Sequence, residues 1–393
     1  MDFIHRHYMK HNLQQQIKEL YFSITVRNLA ISMISIFEPI YLYRLYGSIQ
    51  VVFLFYTALY LLYFFTIPLG AKAAARYGFE HCIFYSTPFL IMYYLSLSLL
   101  EVTPNLIFFA LLCIVADKTL LRPAYHADMA HYGKTGYRGR EVGALSFLES
   151  FSGMLGPVVG GILLTLFGFK ILFILVSLII LSSTVPMLST KEKFKPAKFS
   201  YREAMNNFLK PRGIYKRRDS MAFAGYGEEL IVSQGWPVFI SLFLAGFHTI
   251  GFVVSAASVL VALVKLYAGR ISDKLTREKK RKWVAYNTAL YAGLNFCRPF
   301  VNNWLGVLSV NFLSNTLKSG ITYPYFTFIY SAAGTDKSFL KYSVFYEMSL
   351  SFGKFIVGSS LLVLSLYFTG LGFWYVAFIL AGLWSLLFSL LKF

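Results

Sequence analysis

The chain has 393 residues, of which 57% are hydrophobic and only 14% are charged, and its formal net charge is +19. Soluble domains carry about 25% charged residues, so this composition excludes an ordinary soluble domain and predicts a chain solvated mainly by lipid. The three cysteines are scattered, which excludes a disulfide framework and a Cys-based metal site. The sequence has no G-x-x-x-x-G-K-S/T loop, so it excludes a single-chain ATP-driven pump. We expect no metal, no cofactor and no enzymatic activity.

Twelve apolar runs, each long enough to cross a bilayer, follow one another along the chain. A helical span needs about 20 residues, and these runs are too long and too apolar for barrel strands. A polar segment, 1–19, precedes a first half, 20–189, and a basic linker, 190–220, precedes a second half, 221–393. The prediction is an all-α polytopic membrane protein with two six-helix halves. Numbered 1 to 12, the predicted spans are roughly 20–46, 48–71, 81–100, 104–130, 141–168, 170–189, 221–246, 248–270, 283–300, 303–333, 341–369 and 371–391.

Basic residues are distributed unequally between the two sides of this predicted bundle. Only three of the 37 Lys and Arg residues, Arg44, Lys170 and Arg298, fall in loops on the side opposite the termini. Because cytoplasmic loops collect Lys and Arg, both termini are predicted to lie in the cytoplasm, with the chain in the inner or plasma membrane. The positive charge therefore favours contact with anionic lipid headgroups, and we expect no nucleic-acid partner.

The two halves repeat each other with a period close to 200 residues. Pro39 recurs as Pro237, 198 positions later, and Lys118 recurs as Lys318, 200 positions later, each in the same ordinal span. Parallel half-repeats are typical of transporters in which the substrate site lies between the halves near the bilayer midplane. The repeat predicts halves related by a pseudo-twofold axis.

The linker between the halves carries apolar residues at helical spacing among its basic residues: Tyr201, Ala204, Met205, Phe208 and Leu209. This stripe predicts a short amphipathic helix on the inner membrane face. A segment that merely tethers the two halves is the alternative.

The loop after span 8 resembles the cytoplasmic signature of the major facilitator superfamily, G-x-x-x-D-R/K-x-G-R-K. Four residues match it: Gly269, Asp273, Lys274 and Arg277. Thr276 replaces the second glycine, and the first-half copy keeps only Arg76 of the charges. In that family the loop latches the cytoplasmic side shut, so the resemblance implies that Asp273 engages the start of span 5 near Arg140, where a carboxylate is favourable.

Span 5 resembles the antiporter-type pattern of the same superfamily, G-x8-G-x3-G-P-x2-G-G, with Ser152 in place of one glycine. The matching residues are Gly143, Gly156, Pro157, Gly160 and Gly161. Glycine lets helices approach closely and proline bends them. The resemblance favours export by antiport, and generic close helix packing is the alternative.

Apart from the charges at span ends that are counted with the loops, twelve ionisable residues fall within the predicted spans, six basic and six acidic. A charge at a span centre costs about 2.5–3.5 kcal/mol, so most of them must pair or line a water-filled cavity. In the superfamily spans 1, 4, 7 and 10 line that cavity, which implies six candidate substrate or ion-coupling residues: Glu38, Asp117, Lys118, Arg122, Glu229 and Lys318. Three more are interpreted as ion-pair members at the interface between the halves: Glu149, Glu347 and Lys354. The remaining three are Arg27, Lys265 and Glu228.

The resemblance implies a monomeric secondary active transporter that moves a small solute by alternating access. Glu38 is the predicted proton carrier, because a carboxyl group in a semi-dry site can exchange protons near neutral pH. Export of an apolar or cationic compound is favoured, and uptake of an anionic metabolite is the alternative that Lys118, Arg122 and Lys318 suggest. An uncoupled facilitator and a non-transporting membrane scaffold or sensor are further alternatives.

Overall fold

The computed structural model describes residues 22–132, 138–185, 196–274, 276–332 and 336–391. Within these ranges, helices occupy all twelve predicted spans and no strand occurs. The predicted boundary between the first half and the linker lies outside the described residues. Side chains are described over the same ranges except at 128–149, 263, 265–275, 277, 327 and 330–338.

Span 1 is broken in its middle, and the break determines where Glu38 lies. The chain is helical over 22–34, turns over 35–37 and resumes as the helix Glu38–Tyr46. Pro39 stands in the first turn of this second helix, where its missing N–H costs nothing and its fixed φ suits the start of a helix. Glu38 is therefore the first residue after the break.

The remaining spans of the first half are long helices. They are Ile49–Tyr77, Phe79–Ser98, Leu106–Tyr132 and the continuous run Arg138–Ser182. Gly168 divides that last run, because its φ of 75° lies outside the helical region and favours a residue without a Cβ. Spans 5 and 6 are thus joined by a single glycine.

The linker helix, Tyr201–Leu209, packs against both halves. Its N-terminus is capped by Ser200, whose Oγ accepts the Glu203 N–H at 3.3 Å. The Phe208 ring lies 5.0 Å from Phe64 of span 2 and 5.5 Å from Phe352 of span 11, between ring centroids. The predicted helix is present, but its aromatic side chain contacts the bundle and joins the two halves.

Span 7 is the most irregular span of the second half. It consists of Arg217–Ala224, a 3₁₀ turn Gly225–Glu228, a π-helical segment Leu230–Gly235 and a last helix Trp236–Ser241. A Cβ on Gly227 would collide with the Gly353 backbone and the Trp384 indole, so the close approach of spans 7 and 11 needs a glycine there. The irregular stretch presents Glu228 and Glu229 to the bundle.

The other spans of the second half are regular helices. They are Phe247–Lys274, Arg277–Cys297, Trp304–Ala332, Asp336–Tyr367 and Gly370–Ser385. Spans 2 and 11 pack together, as do spans 5 and 8, and these two pairs carry much of the interface between the halves.

Within the described residues, four helices are long and apolar enough to cross a membrane by length and composition: Ile49–Tyr77, Ser150–Ser182, Phe339–Tyr367 and Gly370–Leu390. Other spans carry charges that lower their mean hydropathy, such as Asp117, Lys118 and Arg122 in span 4. Large apolar side chains including Leu54, Phe108 and Leu366 are exposed on the bundle. Such a surface is suited to lipid.

Candidate functional site

The first-half acid Asp117 is engaged by a buried arginine of span 1. Arg27 Nη2 forms an ion pair with Asp117 Oδ1, and both side chains are 5% exposed. Arg27 Nη1 also donates to Thr87 Oγ1 at 3.1 Å. A buried charge pair needs such additional hydrogen bonds to offset its desolvation. Asp117 is therefore paired within the first half. Its partner, Arg27, was not among the predicted site residues.

Glu38 is held by a hydroxyl group instead of a cation. The Tyr56 hydroxyl donates to Glu38 Oε1 at 2.7 Å. Tyr93 of span 3 also lies close enough to interact with this carboxyl group, although its hydroxyl has no hydrogen-bond partner among the described residues. Glu38 forms no ion pair with a cation of the described residues. A carboxyl group in this setting can be held either ionised or protonated, because hydroxyls donate and accept.

Lys118 and Arg122 lie one turn apart on span 4. Residues at i and i+4 share a helix face, so both cations lie on one side of span 4. Lys118 is half-buried and Arg122 is exposed, and neither forms an ion pair or hydrogen bond with a described residue. The groups that act electrostatically on Arg122 include Tyr63 of span 2 and Glu347 of span 11. Since these neighbours belong to both halves, the exposed guanidinium lies in the region between the halves.

The second half contains a cluster of two carboxylates and two ammonium groups, in which Lys318 Nζ pairs with Glu228 Oε1. Glu229 lies 3.5 Å from Lys318 Nζ and 2.8 Å from Lys354 Nζ. Tyr291 Oη donates to Glu228 Oε2 at 2.9 Å. The four charges balance, so the predicted candidates Glu229 and Lys318 and the predicted interface residue Lys354 belong to one ion-pair cluster.

Three tyrosines of span 2 connect these groups. Tyr56, Tyr60 and Tyr63 follow helical spacing, and each hydroxyl meets a different charged residue. Tyr56 meets Glu38, Tyr60 accepts from Lys354 Nζ at 3.4 Å, and Tyr63 donates to Glu347 at 3.1 Å. The last two bonds cross between the halves. These three tyrosines were not among the predicted site residues. Their i, i+4, i+7 spacing could have indicated that they share one face of span 2, next to a cavity-lining span.

Glu347 joins the halves through a second contact. Its Oε1 lies 3.0 Å from His126 Nε2 of span 4, and both side chains are buried. With Tyr63 as a second donor, Glu347 lies at the interface where it was predicted. Glu149, predicted beside it, has a side chain outside the described residues.

Arg298 differs from its predicted position in an outer loop. The residue follows span 9 directly, but its side chain is 1% exposed and points into the second half. Nε donates to Asn295 at 2.8 Å and Nη2 to Ser314 at 2.7 Å, and the guanidinium lies 4.6 Å from the Trp236 ring centroid. Arginine tolerates this placement because its planar group stacks on aromatic rings.

Most side chains of the predicted cytoplasmic latch lie outside the described residues. Gly269 and Asp273 lie in a described helix, but the side chains of Asp273, Lys274 and Arg277 fall outside the described set. Arg76 of the first-half copy is exposed and lies over Tyr77, 5.4 Å from its ring centroid. The latch stays a prediction.

The span 5 glycines lie at close helix contacts. A Cβ on Gly156 would collide with Ser32, and one on Gly160 would collide with the Met33 backbone of span 1. Gly161 faces the Phe247 carbonyl of span 8. The Pro157 carbonyl meets Gly251 of span 8, so span 5 packs on both halves, while Gly143 lies where side-chain surroundings are not described.

Comparisons with known proteins agree with this architecture. The family model for the Major Facilitator Superfamily matches residues 20–338. The structure is similar to that of the human organic anion transporter MFSD10 (TETRAN), with a TM-score of 0.68 and 12% sequence identity, over 96% of this chain and 99% of that one. A comparison with curated proteins gives no match.

The family match covers most of the chain, and the fold match covers nearly all of it. Both confirm the predicted fold class, an all-α polytopic membrane protein with twelve helices over the described residues, arranged as two six-helix halves. Proteins of this family and fold are membrane transporters. The chain belongs to the major facilitator superfamily.

Proposed function

We propose that this chain is a secondary active transporter that moves a small organic anion by alternating access, with Glu38 as its proton carrier. The observation that carries the proposal is the pair Lys118 and Arg122. Both cations face the region between the halves, and neither has an ion-pair partner among the residues described. A charge within a span is costly when no bonded partner stabilises it, and an anionic substrate would supply that partner.

Most of the other charged span residues with described side chains already have partners, which supports an anionic substrate. Asp117 pairs with Arg27, Glu228 and Glu229 pair with Lys318 and Lys354, and Glu347 contacts His126. Among span acids with described side chains, only Glu38 is held solely by hydroxyl groups. The predicted export of a cationic compound is therefore less favoured than the alternative, an anionic substrate. Lys318 leaves the list of substrate-binding candidates because two carboxylates already surround it.

Glu38 is suited to carry a proton because no salt bridge fixes its charge. A carboxylate paired with a cation stays ionised, whereas one held by tyrosine hydroxyls can accept a proton without losing its partners. Proton coupling would supply the driving force that a chain without a nucleotide-binding loop needs. An uncoupled facilitator would show flux that is independent of the proton gradient.

Alternating access is supported by the kind of contacts that join the halves. The bonds Tyr60–Lys354, Tyr63–Glu347 and His126–Glu347 cross the interface beside the packing of spans 2 with 11 and 5 with 8. These polar contacts are the ones that we expect to break and re-form as the halves move. We further propose a monomer in the plasma membrane with both termini in the cytoplasm, where the basic linker meets anionic headgroups.

MFSD10 is an organic anion transporter, so organic anions are the first compounds to test. Purified protein would be heated with benzenesulfonate, benzoate or phenyl phosphate, because a ligand at about 100 times its Kd stabilises the folded state by about 2.7 kcal/mol. Loss of a charge-assisted hydrogen bond costs about 1.5–3 kcal/mol, so Lys118→Met and Arg122→Met should each weaken binding roughly 10- to 150-fold.

The matched control is Lys170→Met, which removes an exposed lysine at the start of span 6. It should bind each anion as the unmodified chain does. If no anion stabilises the protein, or if the three variants weaken binding equally, the anion site is wrong. A scaffold without transport would show neither anion binding nor flux in vesicles.

A further inference from the structure

We propose that Arg298 and Asn295, at the end of span 9, bind a chloride ion inside the second half. This site is separate from the anion site proposed above and does not depend on it. It is formed where the end of span 9 meets spans 7 and 10, whose side chains surround one buried guanidinium group.

Arg298 carries a buried charge that no acid of the described residues neutralises by direct contact. Its side chain is 1% exposed, and it forms no ion pair with a described carboxylate. Glu228, an acid of the same half, is already paired with Lys318. Arg27, the other buried arginine of the described chain, pairs with Asp117. Because a buried ion without a counter-charge is costly, Arg298 is suited to bind an anion.

The hydrogen bonds of Arg298 leave two donors over. Nε donates to Asn295 Oδ1 at 2.8 Å, and Nη2 donates to Ser314 Oγ at 2.7 Å. Arg298 Nη1 and the amide nitrogen of Asn295, Nδ2, are buried and have no hydrogen-bond partner among the described residues. Buried polar groups are normally bonded, and the two side chains that carry these donors are bonded to each other. A chloride ion accepts from N–H groups, so it would satisfy these donors and neutralise the guanidinium charge.

The side chains around this pair hold the guanidinium in place and leave it enclosed. The group lies 4.6 Å from the Trp236 ring centroid, and Trp236 Nε1 donates to Asn311 Oδ1 of span 10 at 2.9 Å. Trp236, Asn295 and Asn311 are all buried. Such an enclosed setting favours a small ion of single charge over an organic anion. A chloride ion here would hold spans 7, 9 and 10 together.

The repeat shows that the fold does not require an arginine at this position. The offset of 198 that relates the prolines of spans 1 and 7 places Leu100 opposite Arg298 and Leu97 opposite Asn295. Both leucines are fully buried. Apolar residues can replace buried ions without loss of stability, so the polar pair of the second half is better explained by a ligand than by packing.

The test is thermal unfolding of the purified full-length protein in sodium chloride and in sodium gluconate at the same concentration. A ligand of the folded state raises the unfolding temperature, so we expect a rise that saturates with chloride. Arg298→Leu, which copies the first half, should weaken chloride binding roughly tenfold or more, since a charge-assisted hydrogen bond is lost. Arg44→Leu is the matched control and should retain the full rise, because Arg44 also lies over an aromatic ring, 4.4 Å from the Phe247 centroid, but is exposed.

A second variant replaces the ion by a carboxylate of the chain itself. Asn295→Asp keeps an acceptor for Arg298 Nε and supplies a counter-charge beside it. We expect this variant to unfold at a higher temperature than the unmodified chain in gluconate, and to gain nothing from chloride. Asn302→Asp, which changes an exposed amide in the loop after span 9, should retain the chloride effect.

The results separate a chloride site from a structural arginine. If chloride does not raise the unfolding temperature of the unmodified chain, or if Arg298→Leu loses the same stability in both salts, Arg298 is structural and the proposal is wrong. A chloride effect that persists in Asn295→Asp would also overturn it. Lys118→Met should retain the effect, and its loss there would assign the ion to the anion site of the first half instead.

Discussion

Replacing Lys318 by methionine separates a structural lysine from a substrate-binding one. Methionine keeps an unbranched apolar side chain that is one atom shorter than lysine, and it removes the charge. The ammonium group pairs with Glu228, whose side chain is fully buried, and lies 3.5 Å from Glu229. It also lies 4.4 Å from the Tyr226 ring centroid and 4.2 Å from that of Phe388. The substitution leaves Glu228 buried without its cation.

The expected cost follows from that geometry. Removing one partner of a buried ion pair costs about 3–5 kcal/mol, and each lost cation–π contact adds about 0.5–2 kcal/mol. Methionine packing against the same rings recovers part of this, so we expect a loss of about 3–5 kcal/mol for Lys318→Met. Lys118→Met breaks no ion pair within the described residues and should cost less than about 1 kcal/mol.

The measurement is thermal unfolding of the purified variants in one detergent. Adding Glu228→Gln to Lys318→Met removes the uncompensated charge while Tyr291 can still donate to the amide oxygen, so the double variant should recover most of the loss. Lys341→Met, which breaks an exposed ion pair of 2.6 Å with Glu203, should change stability by less than about 1 kcal/mol. If Lys318→Met and Lys118→Met are equally stable, or if the second change rescues nothing, the ion-pair assignment of Lys318 is wrong.

Two further predictions concern contacts between helices. Phe208→Ala should reduce crosslinking between the linker helix and span 11, because the ring packs between the two halves. Leu209→Ala changes a residue that is 62% exposed and should leave crosslinking unchanged. Equal crosslinking in the two variants would contradict packing of the linker helix against the bundle. Gly160→Ala drives a methyl group into the Met33 backbone and should cost about 1–3 kcal/mol in thermal unfolding. Gly372→Ala, with open space around it, is the control, and equal stability of the two would refute close packing of spans 1 and 5.

The spans were predictable because lipid imposes a simple rule on composition and length. The break before Pro39 was also readable, since proline restricts the residues around it. The linker helix was predicted from its apolar stripe, but the surface that it meets was not. That surface is formed by Phe64 and Phe352, which lie far apart in sequence and become neighbours only when spans 2 and 11 pack.

The pairing of the charges was not predictable from local pattern. Arg27 lies 90 positions from Asp117, and which of the neighbours Asp117 and Lys118 faces span 1 depends on the rotation of span 4. Adjacent helical residues point about 100° apart, so a small rotation exchanges their roles. The side chain of Arg298 likewise lies over the Trp236 ring of span 7. No residue pattern around Arg298 predicts this contact.

The repeat contained one signal that explains the different roles of its two lysines. Pro39 and Pro237 are 198 positions apart, and the same offset places Ala30 and Ile31 where the second half has Glu228 and Glu229. Lys318 is surrounded by acids because its half supplies them, whereas the first half has apolar residues at the two corresponding positions. Each half carries three basic and three acidic residues within its spans, so the halves differ in how these charges pair and not in their number. Among the described residues Lys318 lies between two carboxylates while Lys118 has no ion-pair partner, and this difference in pairing is why we propose the anion site in the first half.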